Sequence, residues 1–266
     1  SVPLKPAVLC DLDGVVWLTH QPIAGSVDAI RRIREAGHRV LFVTNNSYAT
    51  ADEQASVLEG IGIAAIGSVV TASQSAGKLL RKGDRVLTCG GPGVTQAIEQ
   101  AGAVIVGRSD DLDFDMNTEV DAVVVAFHRT FDFAGLTKLS AKIRGGARFI
   151  ATNDDATYPT PHGVIPGGGS IVAAVAAASG VQPTIAGKPY APMATLVKAV
   201  LGETDLSNAW MVGDRASTDG EFAKTVNCRF AYVQSGVANA STDLAHAAFT
   251  GPDLAAFADF LLGTHE

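Results

Sequence analysis

Short, mostly apolar runs recur along this chain, with room for a helix between each pair. Val40-Leu41-Phe42-Val43, Val86-Leu87-Thr88, Ala122-Val123-Val124-Val125-Ala126, Arg148-Phe149-Ile150, Trp210-Met211-Val212 and Phe230-Ala231-Tyr232-Val233 read as strands, and so does Ala7-Val8-Leu9-Cys10. Runs that are apolar at successive positions suit strands covered on both faces. Between them lie helical patterns. In residues 26–36, Val27, Ile30, Ile33 and Gly37 trace one face and charges occupy the other, with Gly37 as the stop. Thr50-Ala51-Asp52-Glu53 fits a capping box for the next helix. Residues 171–178 read as a buried helix ended by Ser179-Gly180, entered through a tight turn at Gly167-Gly168-Gly169. This alternation predicts an α/β fold with a doubly wound, mostly parallel sheet.

The totals narrow the function classes. A net charge of −7 without a basic run argues against a nucleic-acid partner. It also requires local cations wherever an anion is to be bound. No apolar run approaches the roughly 18 residues of a membrane span. Cys10, Cys89 and Cys228 lie far apart and none has metal-ligand spacing, which points to reduced thiols in a cytoplasmic setting. Ser1-Val2-Pro3-Leu4-Lys5 has no signal-peptide layout.

Polar residues that could carry chemistry gather at predicted strand ends. Asp11 and Asp13 follow the first strand, and Gly14 permits the bend that turns both toward one place. Thr44-Asn45-Asn46 follows the strand at residues 40–43, where a hydroxyl, amides and backbone N–H groups suit a phosphate oxygen as well as a helix cap. Lys188 lies in Gly187-Lys188-Pro189, just ahead of a helix that begins near Ala191. Asp214 and Asp219 lie in Gly213-Asp214-Arg215-Ala216-Ser217-Thr218-Asp219, after the strand at residues 210–212. The candidates thus cluster near the two ends of the chain. The stretch between has its own strands and helices. It reads as a second domain at residues 78–183 inserted into a core of residues 1–77 and 184–266, rather than as part of one large sheet.

The order of these elements resembles the haloacid dehalogenase (HAD) superfamily: Asp11-Leu12-Asp13-Gly14, Thr44-Asn45-Asn46, Gly187-Lys188-Pro189, then Gly213 to Asp219. Gly14-Val15-Val16-Trp17, Pro22-Ile23-Ala24-Gly25, Thr152-Asn153-Asp154-Asp155-Ala156-Thr157-Tyr158-Pro159 and Gly163-Val164-Ile165-Pro166-Gly167 look like the NagD-like, p-nitrophenylphosphatase branch. The resemblance covers almost the whole chain. It implies a Rossmann-like core with an inserted smaller α/β cap, and hydrolysis of small phosphate monoesters through an aspartyl-phosphate.

A phosphomonoester dianion would be repelled by four carboxylates in a low-dielectric cleft, so a divalent cation must sit among them, and oxygen-only ligands select Mg²⁺. By resemblance, Asp11, the Asp13 carbonyl and Asp214 hold the metal, with Asp219 orienting the ligands. Asp11 is the expected nucleophile and Asp13 the expected acid and base. Thr44, Asn45, Asn46 and Lys188 are the expected phosphate ligands. Where family members often carry Asp, this chain has His128. His128, Arg129 and residues 153–157, Asn153 among them, are the expected substrate selectors. Glycerol 3-phosphate heads the candidate substrates, before 2-phosphoglycolate, sugar phosphates and pyridoxal phosphate. A phosphotransferase on the same fold and a non-catalytic phosphate-binding module are the alternatives. Oligomeric state stays open, with a homodimer through the cap compatible with the resemblance.

Overall fold

The Val8–Cys10 strand lies inside a six-stranded sheet of order Ala247–Gly251, Arg229–Val233, Trp210–Gly213, Val8–Cys10, Val40–Thr44, Val69–Thr71. The pairings from Ala247–Gly251 to Val40–Thr44 are parallel. Cys10 stands opposite Phe42 on one side and Val212 on the other. The residues that follow each strand therefore emerge at one edge. The chain moves from Val8–Cys10 first to one neighbour and much later to the other, so strand order reverses there. Ligands of open α/β sheets bind outside the carboxyl ends at such a reversal.

The computed structural model describes residues 3–236 and 246–263. They divide into two units. One comprises Ser1–Thr44, Asp52–Val70 and Lys188–Glu266 and contains the sheet just described; the other comprises Asn45–Ala51 and Thr71–Gly187. In the first unit, the Ser26–Glu35 helix buries Ala29, Ile30 and Ile33 and packs against the Leu254–Leu262 helix. Asp28 in its first turn and Arg32 and Arg34 in its last complement the helix dipole. Trp210 meets Phe257 and Phe260 edge-on beneath the sheet.

The second unit has its own five-stranded parallel sheet, of order Thr184–Ile185, Arg148–Ala151, Ala122–Val125, Arg85–Cys89, Val104–Arg108. Its residues alternate between two cores. Leu87, Cys89, Val123, Val125 and Phe149 pack with Leu139, Ile143, Ile171 and Val175 from the Phe133–Arg144 and Gly168–Ser179 helices. Val86, Val124 and Ile150 face the other way, toward Ala76, Val94 and Ile98 from Ala72–Gly77 and Pro92–Gln100. Among the described residues the strands divide between two large sheets, besides two two-stranded hairpins, rather than forming one continuous sheet. The second unit takes in Ala72–Gly77 as well as the expected stretch, because that helix packs on Pro92–Gln100. It opens on a capping box: Gln74 N–H donates to Thr71 Oγ1 (3.1 Å) and Thr71 N–H donates to Gln74 Oε1 (3.0 Å). Gly168 and Gly169 belong to the first turn of their helix rather than to a turn ahead of it, with Gly167 as the cap. No helix among the described residues is long and apolar enough to cross a membrane.

Ion pairs fasten the starts of three strands of the second unit. Arg148 Nη2 lies 2.6 Å from Asp84 Oδ2, which also accepts from Arg81 N–H. Arg85 grips Asp121 with Nε and Nη2 at 2.9 and 3.0 Å. The Arg148 guanidinium holds the buried Asp84 carboxyl below the usual aspartate range. A depressed carboxyl stabilises the fold when ionised. That contribution is complete above the unfolded value of about 3.9 and fades as pH falls through the lower folded one. Asp84→Asn is expected to lower stability by about 1–2 kcal/mol at pH 7. In urea melts the gap between variant and wild type should narrow on acidification below about pH 4.

Candidate active site

Asp11 is the first residue beyond its strand. Its N–H donates to Val212 O at 3.0 Å, and Leu12 N–H donates to its Oδ1 at 2.8 Å, so both backbone and carboxylate are fixed. Gly14 then turns the chain with φ +84°. A Cβ there would lie 2.2 Å from Asp214 Oδ2, so only glycine leaves room for that carboxylate. Asp214 follows the Trp210–Gly213 strand, and Asp219 sits in a wide π-type turn at Ala216–Gly220, its N–H donating to Arg215 O at 2.7 Å. Gly213 makes a second close approach possible, since a Cβ there would lie 2.1 Å from Asp219 Oδ2. Lys188, ahead of the Ala191–Leu201 helix, places Nζ 2.8 Å from Asp219 Oδ1 and 3.2 Å from Asp11 Oδ1. Carboxylate oxygens of Asp11, Asp214 and Asp219 lie within 4.8 Å of one another.

Three carboxylates thus face one ammonium, and all but Asp11 are buried. Burial, then the charge of Asp11, pushes Asp214 up to about 7. The same two causes raise Asp219 well above the usual range. Burial alone would lower Lys188, but Asp11 and Asp219 outweigh it and hold the ammonium charged above the usual lysine range. Unit charges 4 Å apart near a protein surface interact by roughly 4 kcal/mol, so the cluster lacks positive charge. Asp219 Oδ2 is buried without a hydrogen-bond partner among the described residues. A small hard dication fits this all-oxygen donor set.

Asp13 stands beside the cluster. Burial, then the charge of Asp11, raises its carboxyl to about 6. Its Oδ1 accepts from Trp17 Nε1 at 3.1 Å, a contact the sequence reading did not foresee. The one available signal was an aromatic donor four residues after the acid. Thr44 is buried at the end of its strand.

The remaining expected residues belong to the second unit. Asn45 Nδ2 donates to Asp155 Oδ2 at 3.2 Å, and Asn153 Nδ2 donates to Asn45 O at 2.8 Å. Asn153 Oδ1 accepts from Asp155 N–H, so the buried Asn153 amide is spent on protein at both ends. Asn46 Oδ1 accepts from Tyr48 N–H at 3.1 Å. His128 does not join this group. Its Nε2 lies 3.4 Å from Asp110 Oδ2, and its Nδ1 accepts from Thr130 N–H. Arg129 lies over the Phe127 ring at 5.3 Å.

A haloacid dehalogenase-like hydrolase family model matches residues 8–104, and a HAD-hydrolase-like model matches residues 185–258. The D-glycerol 3-phosphate phosphatase of Mycobacterium tuberculosis is 38% identical over 245 residues, which are 90% of this chain and 65% of that protein. The chain therefore spans just under two thirds of that relative. A solved structure of the M. tuberculosis glycerol phosphate phosphatase in complex with magnesium superposes with a TM-score of 0.82 at 35% identity, covering 94% of this chain and 76% of that one. A Bacillus subtilis 5′-nucleotidase is 34% identical over 79% of this chain and 80% of its own length. A putative NagD protein superposes with a TM-score of 0.84 at 28% identity, covering 99% of this chain and all of that one. With the acidic cluster, the buried lysine and the sheet reversal in place, the chain belongs to the haloacid dehalogenase-like hydrolases, in their NagD-like branch.

Proposed function

We propose that this chain is a magnesium-dependent phosphatase that hydrolyses small phosphate monoesters by passing the phosphoryl group through Asp11. The observation that carries the reading is Lys188, buried between Asp11 and Asp219 while Asp214 adds a third carboxylate. Named phosphatases among its relatives support it. Glycerol 3-phosphate is the first substrate to test, since a D-glycerol 3-phosphate phosphatase is 38% identical. The three cysteines are free thiols, which suits a cytoplasmic enzyme.

Asp11, Asp214 and the Asp13 carbonyl would hold Mg²⁺, with Asp219 close by. When bound, the ion neutralises the acidic cluster and the charge of the incoming phosphate. Asp11 Oδ1 is engaged by Leu12 N–H and Lys188, which leaves Oδ2 as the attacking oxygen. Attack forms an Asp11 O–P bond while the bond from phosphorus to the ester oxygen breaks. Asp13, kept protonated to higher pH than an ordinary aspartate, gives its proton to the departing alkoxide. The resulting Asp13 carboxylate then takes a proton from water. That water attacks phosphorus, releases orthophosphate and restores Asp11. Lys188 and the Thr44 hydroxyl stabilise phosphoryl oxygens as charge shifts onto them.

Asp11→Asn should remove at least a thousandfold of kcat while the thermal midpoint holds or rises, because a like charge leaves the cluster. Retained turnover would refute Asp11 as nucleophile. Chelation by EDTA should silence hydrolysis of p-nitrophenyl phosphate, and added Mg²⁺ should restore it. Full activity in metal-free buffer would rule out the metal. Lys188→Met should raise the inhibition constant for orthophosphate and cut kcat/KM about a hundredfold or more. It should also destabilise the fold by about 3–5 kcal/mol, since it strands two carboxylates. An unchanged phosphate inhibition constant would remove Lys188 from the phosphate site.

A further inference from the structure

The hairpin that follows Asp13 is built in an unusual way. Trp17–Leu18 pairs antiparallel with Gln21–Pro22, and the two residues of the turn, Thr19 and His20, both have positive φ (48° and 65°). This is the backbone of a tight hairpin turn that glycine and asparagine favour and that a β-branched threonine resists. The turn sets the His20 ring edge-on against the Trp17 indole, with centroids 4.9 Å apart at 80°. The backbone of Trp17 is bound to the loop that carries the carboxylates. Its N–H donates to Leu12 O at 3.3 Å, and its O accepts from Gly14 N–H at 2.8 Å. The indole is 1% exposed, and its Nε1–H is spent on Asp13 Oδ1. The other tryptophan, Trp210, is buried with its Nε1 unpaired among the described residues, so in this fold burying an indole does not by itself bring a partner for its N–H.

Resting on the phosphatase reading above, we propose that Trp17 is a positioning residue that holds Asp13 with one chosen oxygen turned to the substrate. An indole is a donor only. Bonded to Oδ1, it makes that oxygen the acceptor and leaves Oδ2 to carry the proton given to the leaving alkoxide and later taken from water. It also fixes the carboxyl torsion. The turn at Thr19-His20 braces the ring that does this.

The consequence is selective for the leaving group. A nitrophenolate departs from phosphorus without a proton, whereas an alkoxide needs one. The quantity to compare is kcat/KM, which reports the step in which the ester bond breaks. Trp17→Phe removes the N–H and part of the ring. Replacement of Trp17 by benzothienylalanine, isosteric but lacking N–H, removes the hydrogen bond alone and covers the case in which the phenylalanine variant fails to fold. The expected result is that kcat/KM for glycerol 3-phosphate falls about tenfold or more while that for p-nitrophenyl phosphate stays within about threefold, since a positioned acid is worth on the order of a hundredfold or more. In proton NMR the Trp17 indole N–H resonance, identified by its loss in Trp17→Phe, is expected to shift in Asp13→Asn while that of Trp210 stays in place. Equal losses on the two esters, or no loss on either, overturn the role of Trp17 and leave the phosphatase reading standing. A wild-type chain inert to both esters overturns the two together.

Discussion

A lysine ammonium buried at the carboxyl ends of a parallel sheet depends on its neighbours for its charge. Lys188 keeps it because Asp11 and Asp219 lie at ion-pair distance on either side. Asp219 depends equally on Lys188, the cation it pairs with, whereas Asp214 also feels the charge of Arg215. The sheet is arranged to permit this mutual dependence. Asp11 and Asp214 directly follow two adjacent parallel strands in which Cys10 is paired with Val212, and Asp219 returns on a wide turn. Two glycines, Gly14 and Gly213, vacate the space the carboxylates fill. The site is thus a consequence of where three segments of chain end, and its charge imbalance suits a hard cation.

Much of the fold was legible in the sequence because its central strands are buried on both faces. Val8–Cys10 and Ala122–Val125 are apolar throughout, Val40–Thr44 is apolar up to its last residue, and the structure buries every residue in them. Edge elements were harder to read. Ala247–Gly251 alternates half-buried and exposed positions, and Val104–Arg108 buries only Gly107, so neither carries a strong signal. Thr157–Thr160 and Gly163–Pro166 form a hairpin with little core to reveal it. The Ala72–Gly77 helix, Ala-Ser-Gln-Ser-Ala-Gly, is too short and small for periodicity to declare.

The acidic candidates were legible for a different reason: Asp11 and Asp214 directly follow apolar runs, and Asp13 and Asp219 come a few residues after them. Spacing does not reveal how a side chain is already committed. Asn153 lies in a motif that suggests contact with substrate, yet its amide bonds Asn45 and Asp155. Trp17 enters the sequence only as the end of Gly14-Val15-Val16-Trp17, yet the one polar atom of its side chain is bonded to Asp13. Such assignments rest on hydrogen-bond direction, and direction is a property of the folded backbone.

The second unit is one nearly continuous stretch, whereas the first is assembled from three pieces separated along the chain. That asymmetry orders events during synthesis. Emerging from the ribosome N-terminus first, Thr71–Gly187 has all of its strands in hand before Lys188 is made. Val8–Cys10 meanwhile waits with one flank uncovered until Trp210–Gly213 arrives. A nascent chain halted between those two points would hold a finished domain beside a half-built, apolar sheet edge, the kind of surface that invites chaperones or aggregation.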